Sequence, residues 1–223
     1  MPKAIELRDD RCDRVPRVSP RPGQRLPALR LLLASLLLAS PSACRRERPA
    51  PAEGPRVLLV SIDTLRRDYV GVYGAALQTP AIDALAYAGT MLLDAYTPTP
   101  TTAVAHASLL TGLYPWRHGV LDNAVPLASG MRTAAELAKE RGIATAAFVS
   151  SYVLHERFGF ARGFDTYHFA PNESYEFRQR LRQRFWSRGA ETTDAALAWL
   201  EANGDQPFFV WIHYFDPHDP YTP

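Results

Sequence analysis

The order of apolar runs and helical segments constrains the fold of this chain more than any other feature. The apolar runs at Arg56–Ile62, residues 143–149 and Phe208–Tyr214 are continuous rather than alternating, which is typical of strands buried in a parallel sheet. Helical segments separate these runs along the chain. This order predicts an α/β fold with a mostly parallel sheet and helices on both of its faces.

The helical segments are recognised by the residues at their ends. Thr79 and Pro80 begin one helix and Gly89 ends it, because threonine and proline favour helix starts and glycine favours helix ends. Gly142 ends another. We predict helices over residues 80–88, 101–112, 133–141, 174–187 and 190–202, and one further strand over residues 91–96.

Polar side chains follow the predicted strands at the point where each strand ends. Asp63 comes directly after the first strand, Thr102 follows the strand over residues 91–96, and Asp216 and His218 follow the last strand. Active sites of parallel sheets lie at the carboxyl ends of their strands. We therefore expect these side chains to share one site.

The helix over residues 101–112 begins with two hydroxyl side chains, Thr101 and Thr102. The start of a helix attracts anions through its free N–H groups and its dipole. His106 lies one turn after Thr102 on the same face. This arrangement favours chemistry on a phosphate or sulfate ester, with Thr102 and His106 as catalytic residues. The alternatives are a plain helix cap, a structural histidine, and Thr101 in the role of Thr102.

Asp63, Asp216 and His218 are the remaining candidates for the site. Asp63 is predicted to be an oxygen ligand of a divalent cation, with a turn or helix cap as the alternative. Asp216 and His218 lie in a proline-rich loop, where they could contact an ester oxygen, a leaving group or a metal. A polar turn is the alternative for this loop. We assign the other histidines outside the strands to structural or surface positions.

Charge is distributed unevenly along the chain. The net charge is +2, but residues 1–56 hold 12 Lys and Arg against 6 Asp and Glu, so the remainder is acidic. The basic part is the tail and not the folded body. The composition therefore argues against nucleic acid as a partner, and an acidic body suits a site that collects metal cations.

The N-terminal segment predicts export. Residues 1–25 are predicted to be disordered, and the apolar run at residues 31–39 follows basic residues and is too short to span a bilayer. This is the pattern of a secretory signal. Residues 41–44 end in Ala-Cys, which resembles a bacterial lipoprotein cleavage box and predicts lipid attachment at Cys44. The alternative is an ordinary signal peptide with an incidental cysteine.

These features divide the chain into three parts. Residues 1–44 form the tail and export segment, residues 45–55 form a tether rich in proline and alanine, and residues 56–223 form the folded domain. We expect a protein exported to the bacterial cell envelope and held at the membrane through a lipid on Cys44.

The folded part resembles the sulfatase family of the alkaline-phosphatase-like superfamily. The similarity covers about residues 55 to 223, and it is carried by six segments in the family's order: residues 60–66, 71–74, 79–86, 106–115, 117–120 and 208–221. The resemblance implies an α/β sandwich with a metal-assisted esterase site. Asp63 would be a metal ligand, Thr102 would hold the position of the nucleophile, and His218 would touch the ester.

Residues 102–106 depart from the family pattern. They read Thr-Ala-Val-Ala-His, whereas typical sulfatases have Cys or Ser in a C/S-x-P-x-R motif that matures to formylglycine. Threonine carries a methyl group on its β-carbon, so no formylglycine is expected. Threonine nucleophiles occur in the superfamily's phosphodiesterases, phosphatases and phosphotransferases. The resemblance thus favours phosphoryl chemistry with zinc or manganese over sulfate hydrolysis with calcium.

The resemblance also implies a catalytic domain that extends beyond Pro223, so we expect the domain to be incomplete at its C-terminus, with an unpaired sheet edge. The leading hypothesis is a hydrolase or transferase acting on a small-molecule or envelope-polymer ester. The alternatives are a catalytically inert envelope lipoprotein and a truncated fragment of such an enzyme.

Overall fold

A parallel sheet forms the centre of the domain. The computed structural model describes residues 53–169 and 186–219, and within them the sheet has four strands: β1 (Arg56–Ile62), β2 (Ala144–Val149), β3 (Thr166–Phe169) and β4 (Phe208–Tyr214). Their order across the sheet is β1-β4-β2-β3, and all neighbouring strands are parallel. The α/β fold predicted from the apolar runs is confirmed.

Helices pack on both faces of this sheet. The described helices are α1 (Pro80–Ala88), α2 (Thr102–Thr111), α3 (Pro115–His118), α4 (Ala134–Lys139) and α5 (Gly189–Asn203), with short 3₁₀ turns between them. Side chains alternate across a strand, so each strand serves two cores. One core joins Trp211 and Ala147 to α2 and α4, and the other joins Val210 and Ile212 to α5.

The helix ends follow the signals in the sequence. Thr133 and Glu136 form a reciprocal capping box at the start of α4. Gly112 ends α2 in the left-handed region, with φ of 69°, and its N–H donates to the Ser108 carbonyl. Because such caps are local, the predicted bounds of these helices agree with the structure to within a few residues.

The prediction of a strand over residues 91–96 is wrong. This segment forms no regular element, and Leu92, Leu93 and Tyr96 are 66%, 57% and 91% exposed. A strand needs a ladder partner and a buried face, and this run has neither among the described residues.

The prediction that β1 is fully buried is also wrong. Within the described part of the chain β1 pairs only with β4, so it lies at the edge of the sheet, and Leu58 and Val60 are 50% and 46% exposed. An apolar run specifies a strand but not its place in the sheet.

Strand β3 was not predicted. It has only four residues, which is too short a run to stand out in the sequence, and it forms because it pairs with β2. The Thr145 hydroxyl accepts the Asp165 N–H at 2.9 Å and fixes the entry into β3.

The surface helix predicted over residues 174–187 lies almost wholly outside the described residues. No helix in the described ranges combines the length and apolarity needed to cross a membrane.

Candidate active site

Asp63 lies at the carboxyl edge of the sheet, as its position in the sequence predicts. Its N–H donates to the Tyr214 carbonyl at 2.8 Å, which continues the β1–β4 ladder by one residue and fixes the backbone. The side chain is 9% exposed. The next residue, Thr64, has φ of 52°, which is a strained conformation for a β-branched residue. Strain of this kind is concentrated at functional sites.

The structure brings Thr102 to Asp63. Thr102 is the first residue of α2, and its hydroxyl donates to the carboxylate, with 3.1 Å between Oγ1 and Oδ2 and 3.4 Å to Oδ1. Thr101 holds the N-cap position and makes no side-chain cap hydrogen bond. The geometry therefore favours Thr102 over Thr101 as the reactive hydroxyl.

His106 fixes the backbone of Thr102 through a side-chain hydrogen bond. Its Nδ1 lies 2.7 Å from the Thr102 carbonyl, which can only accept, so Nδ1 carries the proton. Its Nε2, 3.0 Å from Ser61 Oγ, must then accept the serine hydroxyl. Ser61 Oγ in turn accepts the Trp211 indole N–H at 3.0 Å. We call these four residues the Ser61 network, and in it every polar group has a partner.

The Ser61 network holds His106 neutral. Burial of the ring, together with the neighbouring His213, lowers the pKa of His106 to about 4, against the opposing effects of the Thr102 carbonyl and Asp63. Both ring nitrogens of His106 are occupied within the protein. Its geometry favours a positioning role over the catalytic role predicted from the sequence.

A residue missed by the sequence reasoning, Asn123, completes the start of α2. Its side-chain Oδ1 accepts the Ala103 N–H at 3.0 Å and so satisfies one of the first amides of the helix. The capping oxygen thus comes from a loop twenty residues away rather than from Thr101. A cap from a distant residue leaves no local pattern in the sequence.

His213 is the second residue that the sequence reasoning missed. It lies on β4, beside Ser61 of β1 in the parallel register, and is fully buried. Its Nε2 is 3.6 Å from Asp63 Oδ2, beyond a hydrogen bond, and neither ring nitrogen has a partner in the described part of the chain. The signal that could have revealed it is a histidine within an otherwise apolar run.

The charge state of Asp63 is set by its neighbours. Burial by itself raises the pKa of the carboxyl. The adjacent His213, the Thr102 hydroxyl and the charge of His218 outweigh burial and lower the pKa below its ordinary value. The carboxylate is therefore ionised at neutral pH and available to a cation.

In the proline-rich loop after β4, Asp216 and His218 make contacts within the protein. Asp216 Oδ1 accepts the Gly189 N–H at 2.9 Å, so this carboxylate caps α5. The His218 ring stacks on Phe215 at 4.3 Å, and its Nδ1 donates to the Asp219 carbonyl. The charge of His218 contributes to the lowered pKa of Asp63. Asp216, by contrast, caps a helix.

The other candidate histidines have structural surroundings. His118 is buried; its Nδ1 accepts the Val120 N–H, and its Nε2 donates to the Ser108 hydroxyl.

An open cleft of about 640 Å³ begins beside Asp63 and is lined by Thr64, Leu65, Arg66, Tyr69 and Pro217.

The residues that could hold a metal are Asp63, His213 and the hydroxyl of Thr102. No cluster of three or more His, Cys, Asp or Glu side chains with metal-site geometry occurs in residues 53–169 and 186–219. The chemistry of the donors nevertheless fits a cation, because the Asp63 carboxylate is ionised and Nε2 of His213 lies 3.6 Å from its Oδ2.

Comparison with known proteins places these residues in a family context. A sulfatase family model matches residues 55–223. N-acetylglucosamine-6-O-sulfatase of Bacteroides thetaiotaomicron is 26% identical over 207 residues, which cover 87% of this chain and 36% of that protein. Ectonucleotide pyrophosphatase/phosphodiesterase family member 1 of Mus musculus is 41% identical over 78 residues, 34% of this chain and 8% of that protein.

The fold has solved counterparts. The crystal structure of the phosphonate monoester hydrolase of Agrobacterium radiobacter superposes with a TM-score of 0.62 at 24% identity, covering 76% of this chain and 42% of that one. The chain thus spans less than half the length of the sulfatase and the hydrolase that it matches.

Proposed function

The chain belongs to the sulfatase family, and from the geometry of its site we propose that it acts as a metal-dependent hydrolase or transferase of a phosphate or sulfate ester, with phosphoryl transfer through Thr102 favoured. The observation that carries this proposal is the hydrogen bond from the Thr102 hydroxyl to the ionised Asp63 carboxylate at the start of α2. The local similarity to a pyrophosphatase/phosphodiesterase supports the phosphoryl preference.

The chain's own residues prepare Thr102 to attack. Asp63 accepts a hydrogen bond from the Thr102 hydroxyl and so orients it. His106 holds the Thr102 carbonyl and so fixes the backbone of the first turn of α2, which carries the hydroxyl. The helix dipole attracts the ester's negative oxygens to the same end.

The proposed reaction has two steps. The Thr102 hydroxyl loses its proton to water and its oxygen forms a bond to the phosphorus or sulfur atom. The leaving group departs with the electron pair of the broken bond and takes a proton from water, and a threonine ester remains. Water then releases the acid in a hydrolase, or an acceptor hydroxyl takes the group in a transferase. A divalent cation held by Asp63 would lower the pKa of the attacking hydroxyl and stabilise charge on the reacting oxygens.

The experiment compares two adjacent threonines. The protein is assayed on aryl phosphate, phosphodiester and aryl sulfate with Zn²⁺, Mn²⁺ or Ca²⁺. Thr102→Ala should abolish metal-dependent turnover, and Thr101→Ala should retain it. Acid-quenched protein should carry a phosphoryl or sulfuryl group on Thr102 by mass spectrometry. Full activity of Thr102→Ala would show that the nucleophile is assigned wrongly.

We also propose a location and a substrate class. Residues 1–44 direct the protein to the cell envelope, with a lipid on Cys44, and the substrate is a small-molecule or envelope-polymer ester. The N-acetylglucosamine-6-O-sulfatase relative supports a sugar ester as one such substrate. Metabolic labelling with palmitate tests the lipid: wild type should incorporate it, and Cys44→Ser should not.

A further inference from the structure

We propose that His213 is a direct metal ligand that, with Asp63 and the Thr102 hydroxyl, makes this site selective for zinc-like cations over calcium. The inference deepens the proposed function and rests on it. The resemblance to sulfatases points to Asp63 alone among the described residues. The assignment of His213 comes from the geometry of strand β4.

The first argument is the burial of a polar ring without partners. His213 is 0% exposed, and both of its ring nitrogens lack a hydrogen bond within the described residues. Leaving a buried polar group unsatisfied costs about 1–3 kcal/mol, so such groups are rare and call for an explanation. A cation bound to Nε2 supplies the missing partner.

The second argument is the spacing of the donor atoms. Zinc bonds oxygen and nitrogen at about 2.0–2.1 Å, so two ligands in a tetrahedral arrangement lie about 3.3 Å apart. Asp63 Oδ2 is 3.6 Å from His213 Nε2 and 3.1 Å from Thr102 Oγ1. These separations bracket the zinc value, whereas 3.6 Å is too long for a good hydrogen bond.

The third argument is that the ring is held in place. His213 meets His106 edge to face, with the ring centroids 4.9 Å apart, and His106 is itself fixed by the Ser61 network. A ligand fixed by its surroundings loses little freedom when the metal binds. The Ser61 network thus supports both the nucleophile and the proposed ligand.

The donor set decides which metal is favoured. Calcium takes six to eight oxygen ligands, whereas imidazole nitrogen suits zinc and related transition metals. The described residues supply one carboxylate, one imidazole and one hydroxyl, and a donor set that includes an imidazole is typical of zinc sites. The alternative is a direct contact between His213 and Asp63 without a metal, and their separation of 3.6 Å is too long for a good hydrogen bond.

The experiment measures binding of Zn²⁺ and Ca²⁺ by calorimetry in wild type, His213→Gln, Asp63→Asn and the control His168→Gln. His168 is a half-buried histidine of β3 that contacts Phe148, on the opposite face of the sheet from His213. We expect wild type and the control to bind Zn²⁺ more tightly than Ca²⁺. His213→Gln should weaken Zn²⁺ binding by at least about 100-fold, the upper end of the loss caused by removing an indirect partner of a ligand.

The outcomes separate this inference from the proposed function. If His213→Gln binds Zn²⁺ like wild type while Asp63→Asn does not, His213 is not a ligand and the proposed function stands. If wild type binds no Zn²⁺, the inference fails. Should His213→Gln not fold, ¹⁵N NMR of the wild-type protein decides: Nε2 of His213 must shift to a metal-bound value on Zn²⁺ addition, and an unshifted or doubly protonated ring overturns the proposal.

Discussion

His106 and His213 lie side by side beneath the site, and their ring nitrogens have opposite surroundings. Both nitrogens of His106 are hydrogen-bonded, to the Thr102 carbonyl and to Ser61, whereas His213 has no hydrogen bond among the described residues. His106 therefore has a structural role, since its hydrogen bonds are formed without any ligand. The ring nitrogens of His213 would gain a partner only from a ligand such as the proposed metal. The difference teaches that the state of the polar atoms, more than burial, separates structural histidines from functional ones.

The largest expected effect comes from removing a hydrogen-bond partner of His106. Ser61→Ala should lower the free energy of unfolding by about 2–5 kcal/mol, because it leaves both Trp211 Nε1 and His106 Nε2 buried without a partner. Ser108→Ala is the matched control, since its hydroxyl serves one histidine only, His118. Urea unfolding should show the larger loss for Ser61→Ala. Equal losses would mean that the Ser61 network does not act as a unit.

Acid should destabilise the Ser61 network more gradually than Ser61→Ala does. The pKa of His106 is lowered to about 4 in the folded protein, so below the ordinary value of 6.5 the unfolded chain binds more protons than the native one. The free energy of unfolding should therefore be fully retained near pH 7 and fall by up to about 3 kcal/mol as the pH falls from 6.5 to 4.

Urea titrations at pH 7, 6, 5 and 4 measure this slope. His106→Gln keeps a donor for the Thr102 carbonyl but cannot take up a proton, so it should flatten the slope. The difference between the two slopes isolates His106 from the neighbouring Asp63 and His213. An unchanged slope in His106→Gln would place the acid sensitivity elsewhere.

A third test concerns the loop after β4, where prediction and structure differ. Asp216→Ala should destabilise the protein by about 1 kcal/mol, the usual cost of losing a helix cap, because the Gly189 N–H loses its acceptor. Turnover measured well below the unfolding temperature should change little. A large loss of turnover at unchanged stability would restore the substrate-binding role predicted from the sequence.

Local signals explain which parts of the fold and site the sequence could predict. Strands β1, β2 and β4 follow from continuous apolar runs, and the ends of α1 and α4 follow from Thr79, Gly89 and Thr133. The meeting of Asp63 and Thr102 follows from the rule that strand ends gather at one edge, even though the strand predicted before Thr102 does not exist.

Pairing between distant segments explains what the sequence could not predict. Strand β3 depends on β2, the cap of α2 comes from Asn123, and the carboxylate of Asp216 is used by α5. The place of His213 depends on the parallel register of β4 with β1, which sets it beside Ser61 and toward Asp63. None of these relations has a local pattern, so each needs the three-dimensional structure.

The smallest expected effect concerns His213, which has no hydrogen bond among the described residues. His213→Leu in the metal-free protein replaces a buried polar ring with an apolar side chain, but it also removes the contact at 3.6 Å with Asp63, so the free energy of unfolding should fall by no more than about 1 kcal/mol. The measurement is urea unfolding in the presence of a chelator, with His118→Leu as the control, because His118 has partners on both nitrogens and should lose about 2 kcal/mol or more. A loss above about 2 kcal/mol in His213→Leu would show that His213 stabilises the metal-free fold through Asp63. A small change, together with loss of zinc binding, would mean that this histidine serves the site and not the fold.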